Sequence, residues 1–173
     1  MDEIRNTIIQ VETLKADKKF DEAIALLQKT LVKYSDDYRL YEELADIYLY
    51  MGDNEKAFAA LNFSLTLNSE SATGNYLKGF ILLGEDKVAE SIEYLEKSNK
   101  LFGNNAEVLR NLGWAYTMSN QHDRGIVILK RALNISPEDE LITEDLAMAL
   151  IGTGDIRGWN MLLKKIWKSP ANT

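Results

Sequence analysis

Leucine returns at Leu27, Leu61, Leu95, Leu129 and Leu163, one every 34 residues. Other positions keep the same phase. One column is large: Leu14, Tyr48, Leu82, Tyr116 and Leu150. A second, Val11, Ala45, Gly79, Gly113 and Ala147, is mostly small, and a third runs Ala23, Ala57, Ser91, Gly125 and Trp159. A fourth holds Thr30, Ser64, Ser98, Ala132 and Ile166. Small side chains let two helices approach closely and large ones fill the gaps between them. An internal period of this length marks a stacked repeat array. The blocks run 4–37, 38–71, 72–105, 106–139 and 140–173, and the whole chain reads as one continuous array.

Each block carries two helical stripes. The first opens with Ile4, Ile8, Val11 and Leu14, spaced for one face of a helix. The pattern predicts second helices over about 21–34, 54–67, 86–101, 121–135 and 155–168. First helices follow over about 38–51, 72–84, 106–119 and 140–152. Gly52 and Gly154 sit where a left-handed residue ends a helix. Ser35-Asp36-Asp37 offers a cap for the next helix, and Pro137 stops one helix or starts another. Every connection is short, which makes successive helices antiparallel. Helices of this length are marginal alone, so stability has to come from burying one repeat against the next.

At these columns the chain resembles the tetratricopeptide repeat family, whose pattern is Trp-x2-Leu-Gly-x2-Tyr, then Ala-x3-Phe, then Pro. The fourth block matches it with Leu109, Leu112, Gly113, Tyr116, Gly125, Leu129, Ala132 and Pro137. The second matches with Tyr41, Leu44, Ala45, Tyr48, Ala57, Leu61 and Ser64. The aromatic that the family carries at the twenty-fourth position is Leu in all five blocks. The resemblance implies an all-α fold: a right-handed α-solenoid of five helix-turn-helix repeats and ten antiparallel helices.

The resemblance further implies a non-enzymatic protein-interaction module that holds a partner's peptide or helix in a concave groove. In the family the first helix of each repeat, the A helix, lines that groove through positions 2, 5, 6, 9, 12 and 13. Here those positions give Tyr50, Tyr76, Leu77, Phe80, Leu83, Arg110, Asn111, Trp114, Met118 and Met148 as the floor. Leu49, Leu141 and Ile151 lie along the same positions. Glu42, Glu43 and Asp46 supply one acidic end; Glu144 and Asp145 supply the other. Tyr76, Phe80 and Leu83 stand at i, i+4 and i+7, a second apolar stripe that also has to be buried. The expected partner therefore has aromatic or aliphatic anchors and basic flanks. The competing reading is that these aromatics seal the seams between A helices. The family's carboxylate clamp does not transfer. Tyr76 and Phe80 replace its first two residues and Asn111 matches, but Leu141 and Asp145 replace its last two.

Charge and composition narrow the picture. Net charge is −7, from 27 acids and 20 bases, which opposes non-specific nucleic-acid binding. There is no run of about 18 apolar residues to span a membrane, and the N terminus lacks signal-peptide features. Cysteine is absent, which fits a reducing compartment, so a cytoplasmic location is expected. No cofactor is implied. The single histidine, His122, has no nucleophile or orienting partner near it in sequence and reads as a turn residue. Two other functions stay open. A secretion chaperone of the same repeat class has similar size and acidity, but its extra N-terminal helix has no room before residue 4. A self-assembling scaffold would pair its ends. Trp159 and Ile166 fill columns that are small elsewhere, and Arg157, Lys164, Lys165 and Lys168 surround Trp167. The last helix is expected to cap itself in preference to forming a dimer contact.

Overall fold

The computed structural model describes residues 2–166, and the side chains of residues 3–162. Expectations for Leu163, Lys164, Lys165, Ile166, Trp167 and Lys168 as packing groups therefore lie outside the described residues. The described residues form ten helices and no strand. In pairs these are α1 (Asp2–Ala16) and α2 (Phe20–Leu31), then α3 (Tyr38–Tyr50) and α4 (Asn54–Leu67). They continue with α5 (Ala72–Gly84) and α6 (Val88–Leu101), then α7 (Ala106–Met118) and α8 (His122–Ile135). The last pair is α9 (Glu140–Thr153) and α10 (Ile156–Ile166). Odd-numbered helices are the A helices and even-numbered ones the B helices.

The turn inside each repeat is the same device five times. Lys18, Gly52, Asp86, Asn120 and Gly154 all have positive φ, between 59° and 76°, and stand 34 residues apart. In every copy this residue's N–H donates to the carbonyl three residues back, as Gly52 does to Leu49 at 3.0 Å. The next N–H reaches five residues back: Lys19 to Leu14, Asp53 to Tyr48, Lys87 to Leu82, Gln121 to Tyr116 and Asp155 to Leu150. That pair of bonds is the Schellman motif, which satisfies the last carbonyls of a helix. The sequence signalled it only at the two glycines. Asp86 in this conformation also delays α6 to Val88, two residues later than the periodicity predicts.

Caps set the remaining boundaries. Asp37, Asp53, Asn105 and Asp139 each accept a backbone N–H in the first turn of the helix that follows. Pro137 neither ends α8 nor begins α9; it stands in the turn between them, and Asp139 opens α9. Helix α2 stops at Leu31, three residues short of the pattern, and beyond it Tyr34 donates its hydroxyl to Glu3 at 2.8 Å.

Two compact units divide the chain, one up to Ile81 and one from Leu82. In the first, Val11, Ala23, Leu27, Leu40, Leu44 and Ile47 form one buried cluster. Ala45, Ala57, Leu61, Leu77 and Ile81 form another. In the second, Leu109, Leu129, Ala132, Leu133 and Leu162 join Ile142, Leu146, Ala149 and Leu150. Leu27, Leu61, Leu95 and Leu129 of the leucine column are fully buried. The small columns bring backbones together, as expected. A Cβ on Gly113 would lie 2.6 Å from Leu129 Cγ, and one on Gly125 would lie 2.8 Å from the Gly113 carbonyl oxygen.

Candidate functional site

A helices carry one face into these cores and leave a second face over. The fate of that second face depends on what stands across the seam.

In the first unit, the sixth position of the repeat faces the preceding A helix. Leu77 holds it in the third repeat and is buried in the cluster that contains Ala45 of α3. Glu43 holds it in the second repeat and accepts a hydrogen bond from Lys15 of α1 at 3.2 Å. Lys15 also pairs with Glu12 at 2.7 Å and with Asp46. Burial opposes the lysine charge, but hydrogen bonds to Asp46 and Glu12 and the field of Glu43 outweigh it and raise the pKa above the ordinary lysine value. Three carboxylates share this one ammonium. Burial pushes Glu43 up to about 7; Lys15 pulls it down and Glu12 adds to the rise.

Glu42 is buried, 6 % exposed, and accepts from Ser64 Oγ at 3.1 Å. Burial raises its pKa, against hydrogen bonds from Ser71, Ser64 and the Gly74 N–H. Gly74 makes room for it, since a Cβ there would lie 2.7 Å from Glu42 Oε1. The expectation of a free acidic end at Glu42, Glu43 and Asp46 is therefore corrected. Glu42 ties α3 to the residues that open α5, and the other two pair with Lys15. Leu77, expected in the groove floor, is core instead. What stays open in this unit is aromatic. Tyr50 is 67 % exposed and stacks on Phe20 with centroids 6.1 Å apart. Phe80 is 44 % exposed beside half-buried Tyr76, with centroids 6.4 Å apart.

In the second unit, Leu83 is half-buried near the end of α5. Arg110 of α7 donates through Nε to Asp145 of α9 at 2.7 Å, again joining a sixth position to the preceding A helix. Burial raises the pKa of Asp145 while Arg110 draws it down. Asn111 is buried, and its Nδ2 donates to the Glu107 carbonyl at 3.0 Å. Trp114 is half-buried; Met118 and Met148 are exposed, as is Glu144. Leu141 and Ile151 share the face of Met148 and are each more than half exposed. Of the two acids expected here, Asp145 is paired and Glu144 is open.

Reading the sequence missed Lys15 and Phe20. Lys15 occupies the twelfth position of the first block, so the groove positions did contain the signal: a lysine one repeat before two acids at positions 6 and 9. Among the described residues, no group of three or more His, Cys, Asp or Glu side chains is placed to hold a metal ion, and no helix is long and apolar enough to cross a membrane.

Residues 38–71 match the family model described as tetratricopeptide repeat. Solved structures share the fold across nearly the whole chain. MamA 41-end from Desulfovibrio magneticus RS-1 superposes with a TM-score of 0.82 at 18 % identity, covering 97 % of this chain and 95 % of that one. Pseudomonas aeruginosa pilF gives 0.81 at 15 %, covering 95 % and 76 %. YrrB, described as a TPR protein with an unusual peptide-binding site, gives 0.75 at 16 %, covering 92 % and 82 %. Residues 38–71 thus match a tetratricopeptide repeat, and together with the turn repeated at one spacing from Lys18 to Gly154 these matches show the fold of the chain, an all-α array of helix-turn-helix repeats.

Proposed function

We propose that this protein is a non-catalytic interaction module that binds a peptide or helix of a protein partner on the second faces of its A helices. The observation that carries this reading is the half-open apolar surface on those faces. Each unit has its own: Tyr50, Tyr76 and Phe80 in the first, and Leu83, Trp114, Met118 and Met148 in the second. Exposed apolar patches of this kind mark interaction surfaces, and rigid aromatics and adaptable methionines are enriched there. YrrB, of the same fold, is described by its peptide-binding site.

The acids on these faces are partly consumed by Lys15 and Arg110, and Glu144 remains open. The partner therefore carries apolar anchors with modest basic flanks, and charge contributes to rate and salt dependence more than to affinity. Selection of a displayed random peptide library against the full chain tests this. Enriched sequences are expected to carry aromatic or aliphatic anchors beside Lys or Arg. Trp114→Ala should weaken the best of them by ~2 kcal/mol or more without changing helix content. Peptides that bind equally to the double variant Tyr76→Ala/Trp114→Ala would refute the reading and make these aromatics seam packing.

A further inference from the structure

The fifth repeat concentrates exposed apolar surface. Leu141, Met148, Ile151, Ile156 and Met161 are each more than half exposed, up to 73 % at Met161. The four preceding repeats together hold only Ile9, Val32, Tyr50, Phe102 and Val127 in that state among the described residues. B helices α2, α6 and α8 each pack against the A helix that follows, whereas α10 is followed by no helix among the described residues.

The charge of this repeat is divided. From Glu140 to Asp155 it holds four acids and no base; from Ile156 onward it holds Arg157, Lys164, Lys165 and Lys168 and no acid. On α9, Leu141, Glu144, Met148 and Ile151 fall at i, i+3, i+7 and i+10, an exposed apolar stripe bearing a carboxylate. On α10, Arg157 and Met161 are both exposed one turn apart. The stripe on α9 calls for an apolar helix with basic residues, and α10 is such a helix. Its own copy cannot serve, because Leu162 already commits α10 to the core side of α9, among Leu146 and Leu150.

We propose that the fifth repeats of two copies pair about a two-fold axis, with the α9 stripe of each chain covered by α10 of the other. A two-fold contact is self-complementary and closes. Here it sets Glu144 of α9 against Arg157 of α10 twice, and covers both apolar stripes at once. The overall charge of −7 opposes association only weakly, since charges more than ~8 Å away are screened at physiological salt. The pairing goes beyond the peptide reading and overlaps it only at Met148 and Glu144, which it would cover; Trp114 and Met118 on α7 take no part.

Sedimentation equilibrium of the full chain, without any peptide, tests the pairing. The expected result at about 100 µM is a species of twice 19.6 kDa. Met148→Lys and Met161→Glu each place a like charge against the other chain's helix, and each should weaken the dimer at least about tenfold. Both residues are exposed, so circular dichroism should be unchanged. Glu144→Lys should weaken the dimer too, and adding Arg157→Glu to it should restore association. A monomer at every concentration overturns the proposal, and so does a dimer indifferent to both methionine variants. Growth into open-ended oligomers overturns the two-fold arrangement. A failed dimer leaves the peptide reading standing, and the Tyr76→Ala/Trp114→Ala variant tests that reading separately.

Discussion

The fourth and fifth repeats share one template and one unit of structure, yet they pack to different depths. In the fourth, Gly113 and Gly125 bring the backbones of α7 and α8 together, and Leu129 fills the remaining space with no exposure. In the fifth, Trp159 stands where Gly125 would be and is only half-buried, while Ile156 and Met161 of α10 remain open. An inner repeat is sandwiched, so small residues at its contact points are a requirement. The fifth repeat has a described neighbour on one side, and there a large residue stands where the fourth repeat carries a small one. The repeat sequence thus specifies the local hairpin, and position in the array decides how much of its surface becomes core.

That contrast can be broken first at the leucines. Leu129→Ala, and likewise Leu95→Ala, should cost ~2–5 kcal/mol in urea denaturation, the usual range for a buried leucine. Leu162→Ala, in the one-sided α10, should cost less. Equal losses would mean that the fifth repeat is as deeply packed as the fourth. The glycine contact comes next. Gly125→Ala forces a methyl to within 2.8 Å of the Gly113 carbonyl oxygen and should cost ~1–3 kcal/mol as overpacking. Met161→Ala, on the open side of α10, should stay within about 0.5 kcal/mol.

A third test asks how a seam closed by charge behaves. Glu43 is raised to about 7 from an ordinary value of 4.5, so between those limits the folded chain binds more protons than the unfolded one. Stability from this group is complete below about 4.5 and is lost as pH rises through about 7. Urea denaturation across that window should show the decline in the wild type and a flatter profile in Glu43→Gln. An unchanged slope would mean that Glu43 ionises normally. The Arg110–Asp145 seam of the fifth repeat carries one carboxylate against one cation and should contribute a smaller slope.

A smaller effect than the core losses is expected at the turns. Asp86→Gly relieves a side chain held at φ 61° and should stabilise by up to ~1 kcal/mol. Gly154→Ala, at φ 72°, should destabilise by a similar ~1 kcal/mol, although nothing crowds the added methyl. Thermal melts that place both variants on the same side of wild type would contradict the shared turn geometry.

The fold was legible because its columns depend on local geometry alone. Leucine at one period, small residues opposite it and a turn every 34 residues leave a single architecture. The binding face was legible only in part, and Glu42, Leu77 and Asn111 show why. Each lies at a position that the family turns toward a partner, and each is buried by a residue on another element or by its own helix. Glu42 depends on Ser64, Ser71 and the missing side chain of Gly74, residues 22 or more positions away that carry no mark of the interaction. Asp145 reads as a surface acid until Arg110 is placed across the seam.

The five identical turns have a kinetic consequence. Each closes on its own helix through bonds spanning three and five residues. Few contacts have to wait for distant segments to find one another. Low contact order of this kind places folding in the microsecond-to-millisecond range typical of helical proteins. Zipping can begin at any hairpin whose turn has formed, and a defect such as Gly125→Ala slows its own neighbourhood and leaves remote hairpins free to form on schedule.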